Sequence, residues 1–263
     1  MSTFVTQKRY FHPTVTKDYI RRVLRDNFQC EEFTLAGEKG KALRGLANSS
    51  CYAILIKMIE GHPHMLCTIR SSSVTLSKGW VVPAGGMIDD GETEIEAAKR
   101  EAYEEIGLPM EDFDIIGGAK PLPMIFSTNK QTHFYLSWSI FGLVPDNFTP
   151  VINEEVEDYF YIPLYEFVDQ LDSSHSITEV DYFYDQKVFY HNFKWTHKNK
   201  LYKISGAVGH IGLISAIAIY QRKKYVKFGP VIEVSRHNLK HVNDWFCYTT
   251  VNFLKKHMSP SKL

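Results

Sequence analysis

The chain has 263 residues, with 30 Lys and Arg against 30 Asp and Glu, so its formal net charge is zero. This balance argues against nucleic acid as a partner, because nucleic-acid-binding proteins usually carry a clear basic excess. The apolar fraction of 44% and charged fraction of 23% are those of an ordinary globular protein. The longest apolar stretch, around Val208–Tyr220, is shorter than the roughly 18–20 residues needed to span a membrane, so we expect no membrane span.

Hydrophobic periodicity and turn residues predict alternating strands and helices. The predicted elements, in chain order, are a helix at 16–28 capped by Thr16, strands at 51–59 and 64–70 around a turn at 61–63, a helix at 93–106, strands at 113–118, 131–143 and 156–163, a helical segment at 164–170, strands within 182–204, and a buried helix at 206–221. Mixed strands and helices in this order indicate an α/β sandwich.

The predicted helix at 93–106 carries two stripes at helical spacing. Its apolar stripe, which we expect to pack on a sheet, consists of Ile95, Ala98, Ala102 and Ile106. The neighbouring acidic stripe consists of Glu94, Glu101, Glu104 and Glu105. Like charges one turn apart destabilise a helix by a few tenths of a kcal/mol. Because Arg100 is expected to face away from this stripe, a hard divalent cation such as Mg²⁺ or Mn²⁺ is the expected partner. The alternative is an acidic face exposed to solvent.

The helix lies within a longer motif. Residues 86–108 read GMIDDGETEIEAAKREAYEEIGL and resemble the Nudix box, in which glycine, glutamate and an Arg-Glu-x-x-Glu-Glu run recur at fixed spacing. The positions that match are Gly86, Glu92, Arg100, Glu101, Ala102, Glu104, Glu105, Gly107 and Leu108. The resemblance implies an α/β fold, a Nudix-type α/β/α sandwich around a mixed sheet. We place this domain at 48–170, with an N-terminal helical extension at 1–47 and a C-terminal extension at 171–263.

The motif also predicts a site. Glu101 and Glu105, one helical turn apart, are expected to be the principal metal ligands, with Glu104 as a further ligand or as the catalytic base. The resemblance implies that Gly86 offers its carbonyl to the metal and that Arg100 pairs with Glu92 to brace the loop. The expected chemistry is hydrolysis of a diphosphate, in which Mg²⁺ or Mn²⁺ neutralises the substrate and acidifies the attacking water.

Outside the motif, Glu155 precedes a predicted strand in the run NEEVEDYFYIP. Many Nudix enzymes carry a further catalytic or metal-binding acid on such a loop, so Glu155 is a second candidate for the catalytic base. An ordinary exposed loop acid is the alternative.

Three features bear on the substrate. The sequence ends in Ser261-Lys262-Leu263, a tripeptide that the peroxisomal import receptor recognises. Residues 155–168 and 201–216 resemble the C-terminal half of the peroxisomal coenzyme A diphosphatases. Residues 66–71 resemble the start of that subfamily's signature, which implies that Arg70 binds a substrate phosphate. The expected function is cleavage of coenzyme A or acyl-CoA into 3′,5′-ADP and a phosphopantetheine, inside the peroxisomal matrix.

One departure keeps other substrates open. The run Trp80–Met87 (WVVPAGGM) and the uninterrupted box look more like the diphosphoinositol polyphosphate phosphohydrolases. Between Gly61 and Gly91, however, only Arg70 and Lys78 carry a fixed positive charge, which suits a highly charged substrate poorly. Diphosphoinositol phosphates and dinucleotides such as NADH are therefore the second expectation. A non-catalytic Nudix binding module is the alternative of another class, and its signature would be loss of the box carboxylates, all of which are present.

Overall fold

A computed structural model describes residues 12–28, 48–75, 77–127, 132–181, 187–220, 226–227, 233–234 and 239. The tripeptide Ser261–Leu263 lies outside these residues.

The helices are α1 (Lys17–Phe28), α2 (Glu94–Ile106), α3 (Tyr165–Asp169) and α4 (Gly206–Tyr220), with short 3₁₀ turns at Met110–Asp112 and Gln170–Asp172. The strands are β1 (Asn48–Ile59), β2 (His62–Arg70), β3 (Val81–Val82), β4 (Ala84–Met87), β5 (Asp114–Ser127), β6 (Thr132–Leu143), β7 (Val156–Pro163), β8 (Ser176–Asp181), β9 (Lys187–His197), β10 (Lys200–Ile204), β11 (Val226–Lys227) and β12 (Glu233–Val234). The hairpin turn between β1 and β2 is at Glu60 and Gly61, which both have positive φ, and it is shorter than predicted.

Among the described residues, seven strands form one mixed sheet around β1. β1 runs parallel to β6, with Asn48 opposite Tyr135 and Ile56 opposite Leu143. It pairs antiparallel with β2 close to the hairpin and with β4 farther from it. β5 pairs with β6, and β7 pairs with β2. The sheet therefore contains both parallel and antiparallel pairs, as expected for the predicted fold.

Two hydrophobic clusters lie on opposite faces of this sheet, because alternate side chains of a strand point to opposite faces. On β1, Cys51, Ala53 and Leu55 join the cluster under α2, whereas Ile54 and Ile56 join the cluster under α1 and α4. The molecule is thus an α/β/α sandwich, and the predicted fold class is confirmed.

The residues on both sides of the predicted 48–170 domain contribute to its core. Ile20, Leu24 and Phe28 of α1 and Ile211 and Ile214 of α4 belong to the same buried cluster as strands of the large sheet. α4 is buried along its whole length from Ala207 to Ile219. No helix in the described part of the chain is long and apolar enough to cross a membrane.

One prediction for α2 is wrong. Ile95, placed on the packing stripe, is 39% exposed, and Ala97 is fully buried in its stead. The buried face is rotated so that Glu94 and Glu105, each 3% exposed, lie among the alanines. The rotation brings carboxylates against the sheet, where the sequence pattern placed an isoleucine.

Candidate active site

The short strand β4 gives the site its floor, and it was not predicted. Its Gly85 and Gly86 lie opposite Tyr52 and Cys51 of β1, so their missing side chains would point to opposite faces of the sheet. A Cβ on Gly86 would lie 2.7 Å from Cδ of Glu101, and a Cβ on Gly85 would lie 2.9 Å from Cδ1 of the Tyr52 ring. Neither position accepts a side chain as the structure stands. The missing side chain of Gly86 therefore lets Glu101 of α2 approach the sheet closely, and that of Gly85 makes room for Tyr52.

Local hydrogen bonds fix both ends of α2. Thr93 caps the first turn: its hydroxyl accepts from the Glu96 backbone N–H at 3.2 Å, while the Glu96 carboxylate accepts from the Thr93 N–H at 2.8 Å. This reciprocal capping box satisfies donors that the first turn leaves open. Gly107 ends the helix in the left-handed conformation, at φ 67°. The carboxylates near the last turn are thereby held at fixed positions over β4.

Glu105 is the most buried of the box carboxylates near β4. It accepts a hydrogen bond from the backbone N–H of Gly85, while its Oε2 atom is buried without a hydrogen-bond partner among the described residues. Burial, followed by the charge of Glu101, raises the pKa of Glu105 to about 8. Burial also raises the pKa of Glu101. A buried carboxylate oxygen without a partner is costly, so this position favours either a proton or a cation.

Arg100 contacts the loop and the acidic stripe together. Its Nε and Nη2 donate to Glu92 at 2.9 and 3.0 Å, and Nη2 also donates to the Met87 carbonyl at 2.9 Å. Nη1 donates to Glu101 at 2.7 Å and to Glu104 at 3.2 Å. The structure therefore brings Arg100 and Glu92 together, but the expectation that Arg100 faces away from the acidic stripe is wrong. The guanidinium group is long enough to bond the loop with one edge and the stripe with the other.

Arg70 lies at the other side of the carboxylates, at the end of β2. Its Nη1 is 3.9 Å from Oε1 of Glu105, and its Nη2 is 4.0 Å from Oε2 of Glu155. These distances permit electrostatic attraction but exceed hydrogen-bond length. The structure thus brings Arg70, Glu105 and Glu155 into one group, although they come from separate parts of the sequence.

The loop that carries Glu155 is held between α2 and β2. The backbone N–H of Asn153 donates to the Glu105 carbonyl at 3.2 Å, and that of Ser71 donates to the Glu155 carbonyl at 2.8 Å. The Asn153 side chain accepts from the Glu155 N–H at 2.9 Å. The side chain of Glu155 itself is about half exposed, at 53%, and that of Glu104 is similar, at 52%. Both candidate bases are therefore reachable from solvent.

The donor set suits a divalent cation, but the ligands are not gathered. In the described ranges, no three His, Cys, Asp or Glu side chains stand together as a formed metal site. In this structure Arg100 is the ion-pair partner of both Glu101 and Glu104. Glu105 Oε2, buried next to Gly85 and without a partner in the part of the chain that the structure describes, is the position that a cation would complete. Mg²⁺ or Mn²⁺ prefers such carboxylate oxygens, so the residues present fit the predicted metals.

Sequence reasoning missed two residues of the site, Gly85 and Tyr52. Gly85 supplies the N–H that bonds Glu105, and Tyr52 packs against Gly85 from the opposite face. The pair Gly85-Gly86 directly before the acidic helix was the available signal for a close backbone approach. No pattern in the sequence pointed to Tyr52, because its position depends on the pairing of β1 with β4.

Comparisons with known proteins give one consistent family. The NUDIX domain family matches residues 52–182. An uncharacterized Nudix hydrolase, NudL, of Yersinia enterocolitica is 38% identical over 123 residues, which cover 46% of this chain and 60% of the relative. Nudix hydrolase 3 of Caenorhabditis elegans is 32% identical over 126 residues, covering 46% of this chain and 50% of the relative.

The chain thus spans between half and two thirds of the length of these curated relatives. Among solved structures, a Nudix hydrolase from M. smegmatis, RenU, aligns with a TM-score of 0.38 and 19% identity, over 48% of this chain and 73% of that one. The segment that the NUDIX family model matches contains the whole box, both glycines of β4 and the loop that carries Glu155. Residues 52–182 therefore form a NUDIX domain, and over this segment the chain is similar to Nudix hydrolases.

Proposed function

We propose that this protein is a metal-dependent enzyme that hydrolyses the diphosphate linkage of a nucleotide-derived metabolite. The observation that carries the proposal is the buried Glu105 carboxylate beside the Gly85-Gly86 floor and the Glu101 carboxylate. One of its oxygens has no hydrogen-bond partner within the described ranges. A purely structural acid at 3% exposure would be expected to have both oxygens satisfied.

Each residue has a distinct task in this reaction. Glu101 and Glu105 would hold Mg²⁺ or Mn²⁺, together with Glu104 and the Gly86 carbonyl. The bound ion supplies positive charge to the diphosphate and acidifies the attacking water. Arg70 offers a planar fork to a phosphate. Glu155 and Glu104 are the candidates to accept the proton, because both are exposed at the site. Arg100 and Glu92 keep the glycine loop in place.

The preferred substrate that we propose is coenzyme A or an acyl-CoA, cleaved to 3′,5′-ADP and a phosphopantetheine. Support comes from the resemblance of residues 155–168 and 201–216 to the peroxisomal coenzyme A diphosphatases, and from the position of Arg70 next to Glu105. The run Trp80–Met87 favours diphosphoinositol polyphosphates instead, so these are the second candidate.

A side-by-side assay tests the substrate. Purified protein is incubated with coenzyme A, a diphosphoinositol polyphosphate or NADH, each with Mg²⁺ and with Mn²⁺, and the products are identified. Coenzyme A is expected to give the highest kcat/KM and to yield 3′,5′-ADP. If coenzyme A is the poorest of the three by a wide margin, the substrate assignment is wrong. If none of them is cleaved with either metal, the result favours the alternative hypothesis of a non-catalytic Nudix binding module.

Substitution tests the metal ligands. Glu101→Gln and Glu105→Gln are each expected to lower kcat by about two orders of magnitude or more, because a neutral amide binds a hard cation poorly. Glu111→Gln is the matched control, since Glu111 is exposed just beyond the same helix. Near-normal turnover by Glu101→Gln would rule out its assignment as a ligand.

We also propose that the tripeptide Ser261-Lys262-Leu263 directs the protein to the peroxisomal matrix through the import receptor. A fluorescent protein fused to the N-terminus is expected to colocalise with a peroxisomal marker, and deletion of Leu263 is expected to leave it cytosolic. Diffuse cytosolic fluorescence of the intact fusion would mean that the tripeptide is coincidental.

A further inference from the structure

The sheet face opposite α2 changes character at the end near the glycine floor. On β1, Ile54 and Ile56 are buried in the apolar cluster of that face, but Ser50 and Tyr52 precede them on the same side of the strand. Ser137 of β6 lies directly opposite Ser50. A row of hydroxyl groups at the edge of an apolar face does not stabilise the core as apolar side chains do, because each buried hydroxyl group needs a hydrogen-bond partner.

The hydroxyl groups in this row are hydrogen-bonded in series. Ser50 Oγ and Ser137 Oγ are 2.5 Å apart, and the Ser137 hydroxyl also bonds the Tyr52 phenol. A hydroxyl group has a single hydrogen to donate. If Ser137 donates to Tyr52, then Ser50 must donate to Ser137. The hydrogen of the Tyr52 phenol is then left for a further acceptor.

The phenol lies close to the residues of the candidate site. Its ring packs on Gly85, whose backbone N–H bonds Glu105, and it is within electrostatic range of both Arg70 and Glu105. Tyr52 as a residue is partly exposed, whereas Ser137 beneath it is only 2% exposed. Of the two residues, Tyr52 therefore lies closer to solvent.

We propose that Tyr52 is a substrate-binding residue, whose hydroxyl donates a hydrogen bond to a phosphoryl oxygen of the diphosphate, and that Ser50 and Ser137 orient this hydroxyl. The inference rests on the proposed function and adds to it a residue on the face opposite the box helix. Because the hydrogen bond is made to the diphosphate group, its loss should weaken the binding of every diphosphate substrate by the same factor.

The test measures binding rather than turnover. Calorimetry of the full chain with methylenediphosphonate and Mg²⁺ uses a probe that cannot be hydrolysed. Tyr52→Phe is expected to weaken binding about tenfold, as for loss of a hydrogen bond to a charged group. Tyr161→Phe is the control, because its hydroxyl lies on β7 without a hydrogen-bond partner among the described residues. Equal affinity of the wild type and Tyr52→Phe, or no binding by the wild type, would overturn the inference.

A double-mutant cycle tests the orienting role of Ser137. Ser137→Ala is expected to weaken binding of the probe by itself, but to add nothing in the Tyr52→Phe background, because it acts through the phenol. Ser139→Ala is the matched control, two residues along the same strand and buried without a partner in the described residues. Additive effects would show that Ser137 does not act through Tyr52. If the wild-type protein binds the probe but cleaves no diphosphate, the proposed function is contradicted, whereas the binding role of Tyr52 is not.

Discussion

At the scale of single residues, two opposing requirements act on the charge of the Glu105 carboxyl group. Its burial disfavours a negative charge, yet the proposed reaction needs that charge to hold a cation. The pKa of Glu105, raised to about 8, means that the metal-free protein keeps this carboxyl group protonated at neutral pH. Binding of a cation would release the proton, so metal affinity should rise with pH.

This shift predicts how stability depends on pH without metal. Between pH 4.5 and about 8 the folded protein holds a proton on Glu105 that the unfolded chain has lost. The free energy of unfolding should therefore fall as pH rises through this range. Glu105→Gln removes the ionisable group, so in EDTA it should lose less stability than the wild type between pH 6 and pH 8.5.

Thermal melting at these two pH values, with and without Mg²⁺, makes the comparison. Added Mg²⁺ should stabilise the wild type at pH 8.5 and have little effect on Glu105→Gln, with Glu111→Gln as the control. A variant as sensitive to pH as the wild type would mean that Glu105 is ionised in the folded state.

At the scale of elements, α2 depends on its capping box for its start and on β4 for its position. Thr93→Ala removes the hydroxyl that accepts from the Glu96 N–H. We expect a loss of about 1 kcal/mol in the free energy of unfolding, as measured for comparable caps. Because Glu101 and Glu105 lie two turns or more beyond the cap, kcat/KM should change by less than about threefold.

Denaturation in urea and steady-state kinetics on the same samples separate the two effects. Glu96→Gln is the conservative control, since glutamine can also complete a capping box. A large loss of activity in Thr93→Ala with unchanged stability would show that the first turn of α2 takes part in catalysis.

At the scale of the whole molecule, α4 joins the C-terminal part of the chain to the sheet. His210 of α4 is 6% exposed and faces His191 of β9, on whose ring His175 stacks. Burial, followed by the proximity of His191, lowers the pKa of His210 to about 3. The folded protein therefore holds this histidine neutral over most of the acidic range.

Acid should consequently weaken the fold. Between pH 6.5 and about 3 the unfolded chain binds a proton on His210 that the folded chain does not. As the pH is lowered through this window, the free energy of unfolding should therefore decrease, by up to about 1.4 kcal/mol per pH unit. His210→Leu should lose less stability than the wild type between pH 7 and pH 5, as measured in urea. Equal losses would mean that His210 becomes protonated within the fold.

The sequence by itself determined the local features of this protein. Helix α1 with its Thr16 cap, the five longer strands of the central sheet and helix α2 were predictable, because their signals are periodicity and capping within a few residues. The identity of the family was equally local, since the box occupies one continuous run of residues. The Arg100–Glu92 contact, which the resemblance implied, is also present in the structure.

Only the tertiary structure decided how α2 is rotated and what surrounds its carboxylates. Ile95 was expected against the sheet, but the glycines of β4 let Glu105 take the buried position, and Arg100 bonds the stripe that it was expected to avoid. Strand β4 was invisible to sequence patterns because four residues are too few for a period. Arg70, Glu155 and Tyr52 meet Glu105 only because distant strands pair in the sheet. Pairing of that kind depends on the packing of the whole core, and no local run of residues encodes it.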